Sequence, residues 1–298
     1  MRVFVTGATG FIGSAIVEKL IGAGHQVLGL ARSCSAARSL TEAGAGIHWG
    51  NLEDLESLRA GAAAADAVIH TGFSHDFFKF KAVCEADRLA IEALGSALVG
   101  SDRPLIVTSG TMLVRPGQFA TENMFPALTS DLNARVATEE AANAVASMGV
   151  NVSVVRLSPS VHGEGDYGFI PMLIGIAREK GVSGYIGEGN NRWTAVHRLD
   201  AADLYCLALE KAKPGARFHG VAEEAITFRA IAEVIGKHLN LPAVSISPDD
   251  AASHFSWLAR FASLDCPASG ELTGEILGWI PIQPKLFDDL ISGDYFKV

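Results

Sequence analysis

Tyrosine is scarce in this 298-residue chain: there are four, and none precedes Tyr167. Lysine is missing from the whole stretch between Lys81 and Lys180. A phenol working beside an ammonium in the middle of the chain is thereby excluded. Cysteine is confined to Cys34, Cys84, Cys206 and Cys266, with no CxxC pair and no metal-ligand spacing. No metal site is expected, and reduced thiols in a cytoplasmic protein are the default. Lysine and arginine number 24 against 33 acidic residues, a net charge of −9 with the two signs interspersed. That leaves no basic face for nucleic acid. No uninterrupted apolar run reaches membrane-spanning length, and no charged segment followed by an apolar core marks a secretory leader.

What is present is apolar and periodic. Hydrophobic residues make up 49% of the chain and charged ones 19%, ample for a large core. Short apolar runs at 3–6, 26–31, 67–71, 104–109 and 152–157 read as strands buried on both faces, with a weaker one at 46–49. Helical patterns lie between them near 11–22, 52–60, 77–99 and 131–148. Such alternation predicts an α/β fold, a doubly wound parallel sheet with helices on both sides. After about residue 158 glycine-rich loops appear, and helices return near 199–212, 227–239 and 248–261. We expect a dinucleotide-binding core over 1–157 and a smaller substrate lobe over 158–298, interleaved with that core.

"VFVTGATGFIGSAIVEKL" carries the strongest signal. Gly7, Gly10 and Gly13 follow a strand directly and open an amphipathic helix, as in a Rossmann-type phosphate loop. The first allows a tight turn, the second a close approach to pyrophosphate, the third tight helix–sheet packing. Thr9, Phe11 and Ile12 fill the positions between and are expected beside the cofactor. The next strand ends "LGLARS", with Arg32 and Ser33 where an acidic residue would select NAD(H). Arginine there can pair with a 2′-phosphate, so NADP(H) is favoured over NAD(H).

These segments resemble the extended short-chain dehydrogenase/reductase family, which includes nucleotide-sugar epimerases, and the resemblance covers nearly the whole chain. "TGATGFIG" is similar to the family's TGxxGxxG. "GNLEDLESL" resembles its adenine-pocket segment, which implies roles for Asn51 and Leu52. "DAVIHTG" resembles the strand and turn beside the cofactor, implicating Thr71 and Gly72. "VVRLSPSVHGEGD", "WTAVHRLDAADLYCLAL" and "LTGEILGWIP" resemble three later family segments.

The family's chemistry uses a serine, a tyrosine and a lysine, the last two as YxxxK, and here the pattern departs. Ser109 falls one place early, Gly110 takes the usual serine position and Thr111 follows. "DLNAR" puts Asp131 at the tyrosine and Arg135 at the lysine, which resembles an atypical branch with HxxxR at this place. Arg135 can hold ribose but cannot donate a proton, and an ionised Asp131 can only accept. An Asp131–Arg135 ion pair at a helix start is the structural alternative. The proton donor is sought in "TGFSHDFF", where His75, with Asp76 beside it, should emerge at the carboxyl edge of the sheet. Ser109 or Thr111 would polarise the substrate oxygen. His75, His162, Arg192 and Trp193 are expected to face the substrate, and Phe77, Phe78 and Phe80 to form an apolar wall or, for at least two of them, to pack in the core.

The sequence thus predicts an NAD(P)-dependent oxidoreductase acting on a small carbonyl or alcohol, with non-standard acid–base groups. A dinucleotide-binding regulator without turnover, and a nucleotide-sugar epimerase or dehydratase, stay open as alternatives. The resemblance implies a homodimer.

Overall fold

The computed structural model describes residues 1–211 and 213–297, the Phe77 side chain excepted. The predicted runs form the strands β1 (Arg2–Thr6), β2 (Gln26–Ala31), β3 (Gly46–Trp49), β4 (Ala67–His70), β5 (Leu105–Gly110) and β6 (Val152–Leu157). The second half adds β7 (Ser160–His162), β8 (Ser183–Ile186), β9 (Arg192–His197), β10 (Arg217–Gly220), β11 (Glu223–Thr227) and β12 (Ala243–Ile246). Seven strands make one sheet in the order β10-β6-β5-β4-β1-β2-β3, with every neighbouring pair parallel. The chain leaves β1 toward β2 and β3, then returns to β4 on the other side of β1. That reversal opens a cleft beyond the carboxyl ends of β1 and β4, where open α/β sheets bind ligands.

Helices cover both faces. On one side α1 (Phe11–Gly22) and α2 (Cys34–Glu42) bury Ile16, Leu20 and Leu40 against the sheet. On the other, α3 (Leu55–Ala63), α4 (Phe80–Ser96) and α5 (Ala137–Ser147) contribute Leu58, Ile91, Leu94 and Val145. A second lobe holds α6 (Phe169–Lys180), a three-stranded sheet β11-β9-β7 and the pair β12-β8. Its separate core joins Trp193, Phe228 and Phe255.

The two halves share the main sheet. Helix α7 (Arg198–Lys211) packs on the first face beside α1, and β10 pairs with β6 to complete the seven strands. The sequence reading did not assign β10. "RFHG" is too short and too mixed to stand out, and it is held by backbone pairing and burial of Phe218. Two predicted helices are shorter. Residues 130–133 form a turn, because the Thr129 carbonyl accepts both the Leu132 and Asn133 N–H groups. A 3₁₀ turn, Ala134–Val136, then leads into α5. The 248–261 segment breaks at Ser256, whose φ of 53° is left-handed. Among the described residues no helix is long and apolar enough to cross a membrane.

Candidate active site

The glycine loop has the geometry of a backbone cradle. Gly7 turns with φ +67°, and a Cβ there would lie 2.7 Å from Gly72 N. A Cβ on Gly13 would lie 2.0 Å from Gly7 O, so helix α1 can close on the turn only without a side chain at that position. Gly10, before the helix, provides no side-chain cap, and the Phe11 N–H donates to the Tyr167 hydroxyl at 3.3 Å. This backbone cradle fits a dinucleotide diphosphate, which is what the residues present would hold. Thr9 is exposed, while Phe11 and Ile12 are half-buried. Arg32 is exposed just past β2, and the Ser33 hydroxyl caps α2 by accepting the Ala36 N–H at 3.2 Å. Asn51 shapes the turn after β3, its Oδ1 accepting from Glu53 N (2.8 Å) and Asp54 N (3.1 Å). Leu52 packs against the helical core beside it.

A buried polar chain runs across the cleft floor. Thr71 Oγ1 donates to Thr6 O at 2.8 Å, and the Gly72 N–H donates to Thr6 Oγ1 at 3.2 Å. Thr6 Oγ1 lies 2.7 Å from His70 Nδ1, and His70 Nε2 lies 3.1 Å from Asp87 Oδ1. With the carboxylate accepting, Nε2 carries the proton and Nδ1 accepts from the threonine. The other Asp87 oxygen accepts from Arg135 at 2.8 Å and from the Thr138 hydroxyl. Burial alone would push Asp87 up. The Arg135 charge, then the His70 and Thr138 hydrogen bonds, outweigh it and hold the carboxyl below its ordinary value.

Arg135 is thus fixed from below by Asp87, and it also donates to the Thr108 carbonyl at 3.2 Å. Its guanidinium lies over the Phe73 ring, 4.1 Å from the centroid, and the His75 ring meets the edge of Phe73 at 5.7 Å. Burial, and then the Arg135 charge, lower the His75 pKa. The structure therefore brings Arg135 and His75 together around one aromatic ring. Asp76 does not orient His75; its carboxylate caps the following turn by accepting from Phe78 N (3.1 Å) and Lys79 N (3.3 Å). Asp131 is exposed in the turn before α5, and the carboxylate paired with Arg135 is Asp87.

Other expected groups are placed in structural roles. The Ser109 hydroxyl is buried and donates to Glu139 (3.0 Å), itself held by Arg156 through two contacts of 2.7 Å. Thr111 is buried against Thr194 Oγ1 (3.2 Å) and Leu157 O (3.4 Å). Trp193 does not contact the cleft: it has no exposed surface and packs between Phe169 and Phe228, because β9 turns it into the lobe's core. Arg192 is occupied by a bidentate pair with Asp265. His162 is buried, 2.9 Å from Asp289. Phe78 stands exposed and Phe80 half-buried, and the Phe77 side chain lies outside the described residues. The sequence reading did not single out Phe73, Asp87 or Thr138. Asp87 alone left a signal, an acid on the 84–87–91–94 buried stripe of α4.

This fold and cradle define a Rossmann-type dinucleotide-binding class. The sequence model of the NAD dependent epimerase/dehydratase family matches residues 3–98. An uncharacterized protein of Schizosaccharomyces pombe is 48% identical over 99% of this chain and 100% of its own. The 2-alkyl-3-oxoalkanoate reductase of Stenotrophomonas maltophilia is 31% identical over 74% of this chain and 69% of its own. The UDP-glucose 4-epimerase of Thermus thermophilus, solved with NAD, superposes with a TM-score of 0.77 at 21% identity, covering 100% of this chain and 99% of that one. The last likeness speaks to fold alone. The chain belongs to the NAD-dependent epimerase/dehydratase family of extended short-chain dehydrogenases/reductases, whose members bind a nicotinamide dinucleotide.

Proposed function

We propose that the protein is an oxidoreductase that prefers NADP(H) and interconverts a small carbonyl compound and its alcohol without the family's tyrosine. The observation that carries this reading is the convergence of Arg135 and His75 on Phe73 at the cleft. The similarity to a bacterial reductase supports the reaction type. When bound, the nicotinamide supplies or takes the hydride. Arg135, anchored by Asp87, orients the ribose with guanidinium donors and stays charged throughout. His75 moves the proton at the substrate oxygen, giving it in reduction and taking it in oxidation. Its lowered pKa makes the neutral imidazole the main form at neutral pH. Oxidation is favoured there and reduction in acid. Arg32 pairs with the 2′-phosphate.

Ser109 and Thr111 already hold protein partners, which favours a second reading, a dinucleotide-binding regulator without turnover. The two separate experimentally. Purified protein is given NADPH or NADH with a panel of aldehydes, ketones and imines, and cofactor oxidation is followed. Turnover lost in His75→Ala with binding intact supports the enzyme. NADPH binding with no oxidation across the panel supports the regulator. Arg32→Ala should weaken NADPH by roughly ten- to a hundredfold and leave NADH little changed. Equal losses for both cofactors would refute the 2′-phosphate contact.

A further inference from the structure

Residues 7–14, "GATGFIGS", carry no charged side chain. A dinucleotide diphosphate is doubly negative, and backbone N–H groups with a helix dipole offset part of that charge. A cation reaches the same turn from far along the chain. Arg198, at the start of α7, holds its guanidinium 5.1 Å from the Phe11 ring centroid and 3.4 Å from Ser14 Oγ. One terminal nitrogen donates to Glu164 O at 2.7 Å, which fixes its reach. Its Nε is buried with no hydrogen-bond partner. A second group comes from the loop before α6. The Tyr167 ring, 57% exposed, meets the Phe11 ring at 5.9 Å. Its hydroxyl accepts the Phe11 N–H at 3.3 Å.

We infer that Arg198 clamps the cofactor diphosphate as its counter-cation, and that the Tyr167 hydroxyl is a placeholder at the Phe11 N–H which the diphosphate displaces. This rests on the dinucleotide reading above. The Phe11 N–H is one of the first-turn donors that a helix leaves unpaired. In the free protein the phenol satisfies it through a long bond. An anionic phosphate oxygen is the stronger acceptor and displaces the phenol. Arg198 already lies over the turn where that charge arrives, so binding requires little rearrangement of the guanidinium.

Calorimetric titration of the full chain with NADPH, NADH and adenosine 2′-monophosphate, which has no diphosphate, tests the clamp. Arg198→Met should weaken both dinucleotides by roughly ten- to a hundredfold and leave the monophosphate little changed. Arg198→Lys, which keeps the charge, should retain most of the affinity, and melting curves check that both variants fold. Tyr167→Phe removes the placeholder and keeps the ring, so dinucleotide affinity should hold or rise and association should quicken. Dinucleotide binding unchanged in Arg198→Met overturns the clamp alone, and a tenfold loss in Tyr167→Phe overturns the placeholder. A wild-type protein that binds neither dinucleotide overturns the clamp and the dinucleotide reading together.

Discussion

Asp87 shows how one residue sets the character of the site. It lies on the buried stripe of α4, in a place where an apolar side chain would serve the core equally well. Its carboxylate instead accepts from His70 on one side and from Arg135 and Thr138 on the other. Removing one partner of a buried ion pair leaves the other charge unpaired. Asp87→Ala should therefore lose about 3–5 kcal/mol in urea denaturation at neutral pH. Because the folded carboxyl is held low, this advantage should be present above the ordinary carboxylate range and shrink as pH falls through its depressed value. A loss under about 1 kcal/mol would mean that the network contributes no more than a surface pair. The same reasoning extends to His75. Burial and the Arg135 charge both disfavour its imidazolium. In Arg135→Gln the charge is gone, so the His75 ring-proton titration seen by NMR should move upward. In the wild type, reduction should slow as pH rises through that lowered value, and oxidation should speed up. A titration that does not move in Arg135→Gln would remove the coupling.

At the scale of elements, loops hold the groups of the candidate site and strand ends aim them. The 71–76 loop leaves β4 beside β1 and delivers Phe73 and His75 to one mouth of the cleft. The loop before α6 delivers Tyr167 to the other. That second loop is tied to the end of the chain: the Tyr295 hydroxyl lies 2.9 Å from Asp166, and Asp166 accepts from the Gly168 N–H at 2.6 Å. Burial outweighs both bonds and raises Asp166 to about 6. The folded state binds this proton more tightly than an ordinary aspartate, whose value is 3.8. Its contribution to stability is complete below 3.8 and is lost as pH rises through about 6. Asp166→Asn removes the ionisation and can keep both hydrogen bonds. Its gain in Tm over the wild type should be larger at about pH 8 than at about pH 4. Equal differences at the two pH values would contradict the raised carboxyl.

For the whole molecule, the C-terminal segment stitches the two halves together. Asp200, buried at the start of α7, accepts the Ile282 and Gln283 N–H groups at 3.0 and 3.1 Å. The Trp279 indole donates to the Asp200 carbonyl at 2.9 Å, and Glu122 accepts from Thr273 through both N–H and hydroxyl. Asp200→Ala should lower stability by about 1–3 kcal/mol, since two backbone donors lose a charged acceptor. Unfolding should stay a single transition, because β10 and α7 belong to the first half's sheet and core. Two separated melting steps would show instead that the lobes are independent.

How much of this was legible in the sequence follows from the range of each interaction. The strands β1 to β6, the turn at Gly7 and the tight packing at Gly13 were readable because they depend on local sterics and apolar periodicity. The absence of YxxxK was equally plain, since the positions of the tyrosines and lysines exclude it. Arg135 and His75 were singled out as candidates by position. What joined them, Phe73 above and Asp87 below, depends on contacts across a cleft that periodicity does not encode. The settings of Trp193 and Arg192 were not legible for the same reason: only the packing of β9 against α6 and α8 (Phe228–Leu239), and the approach of Asp265, decide which way those side chains point. Local sequence determined the cradle and the sheet that bears it. Long-range packing decided which charged groups reach the cradle, because burial and pairing partners exist only once distant segments meet.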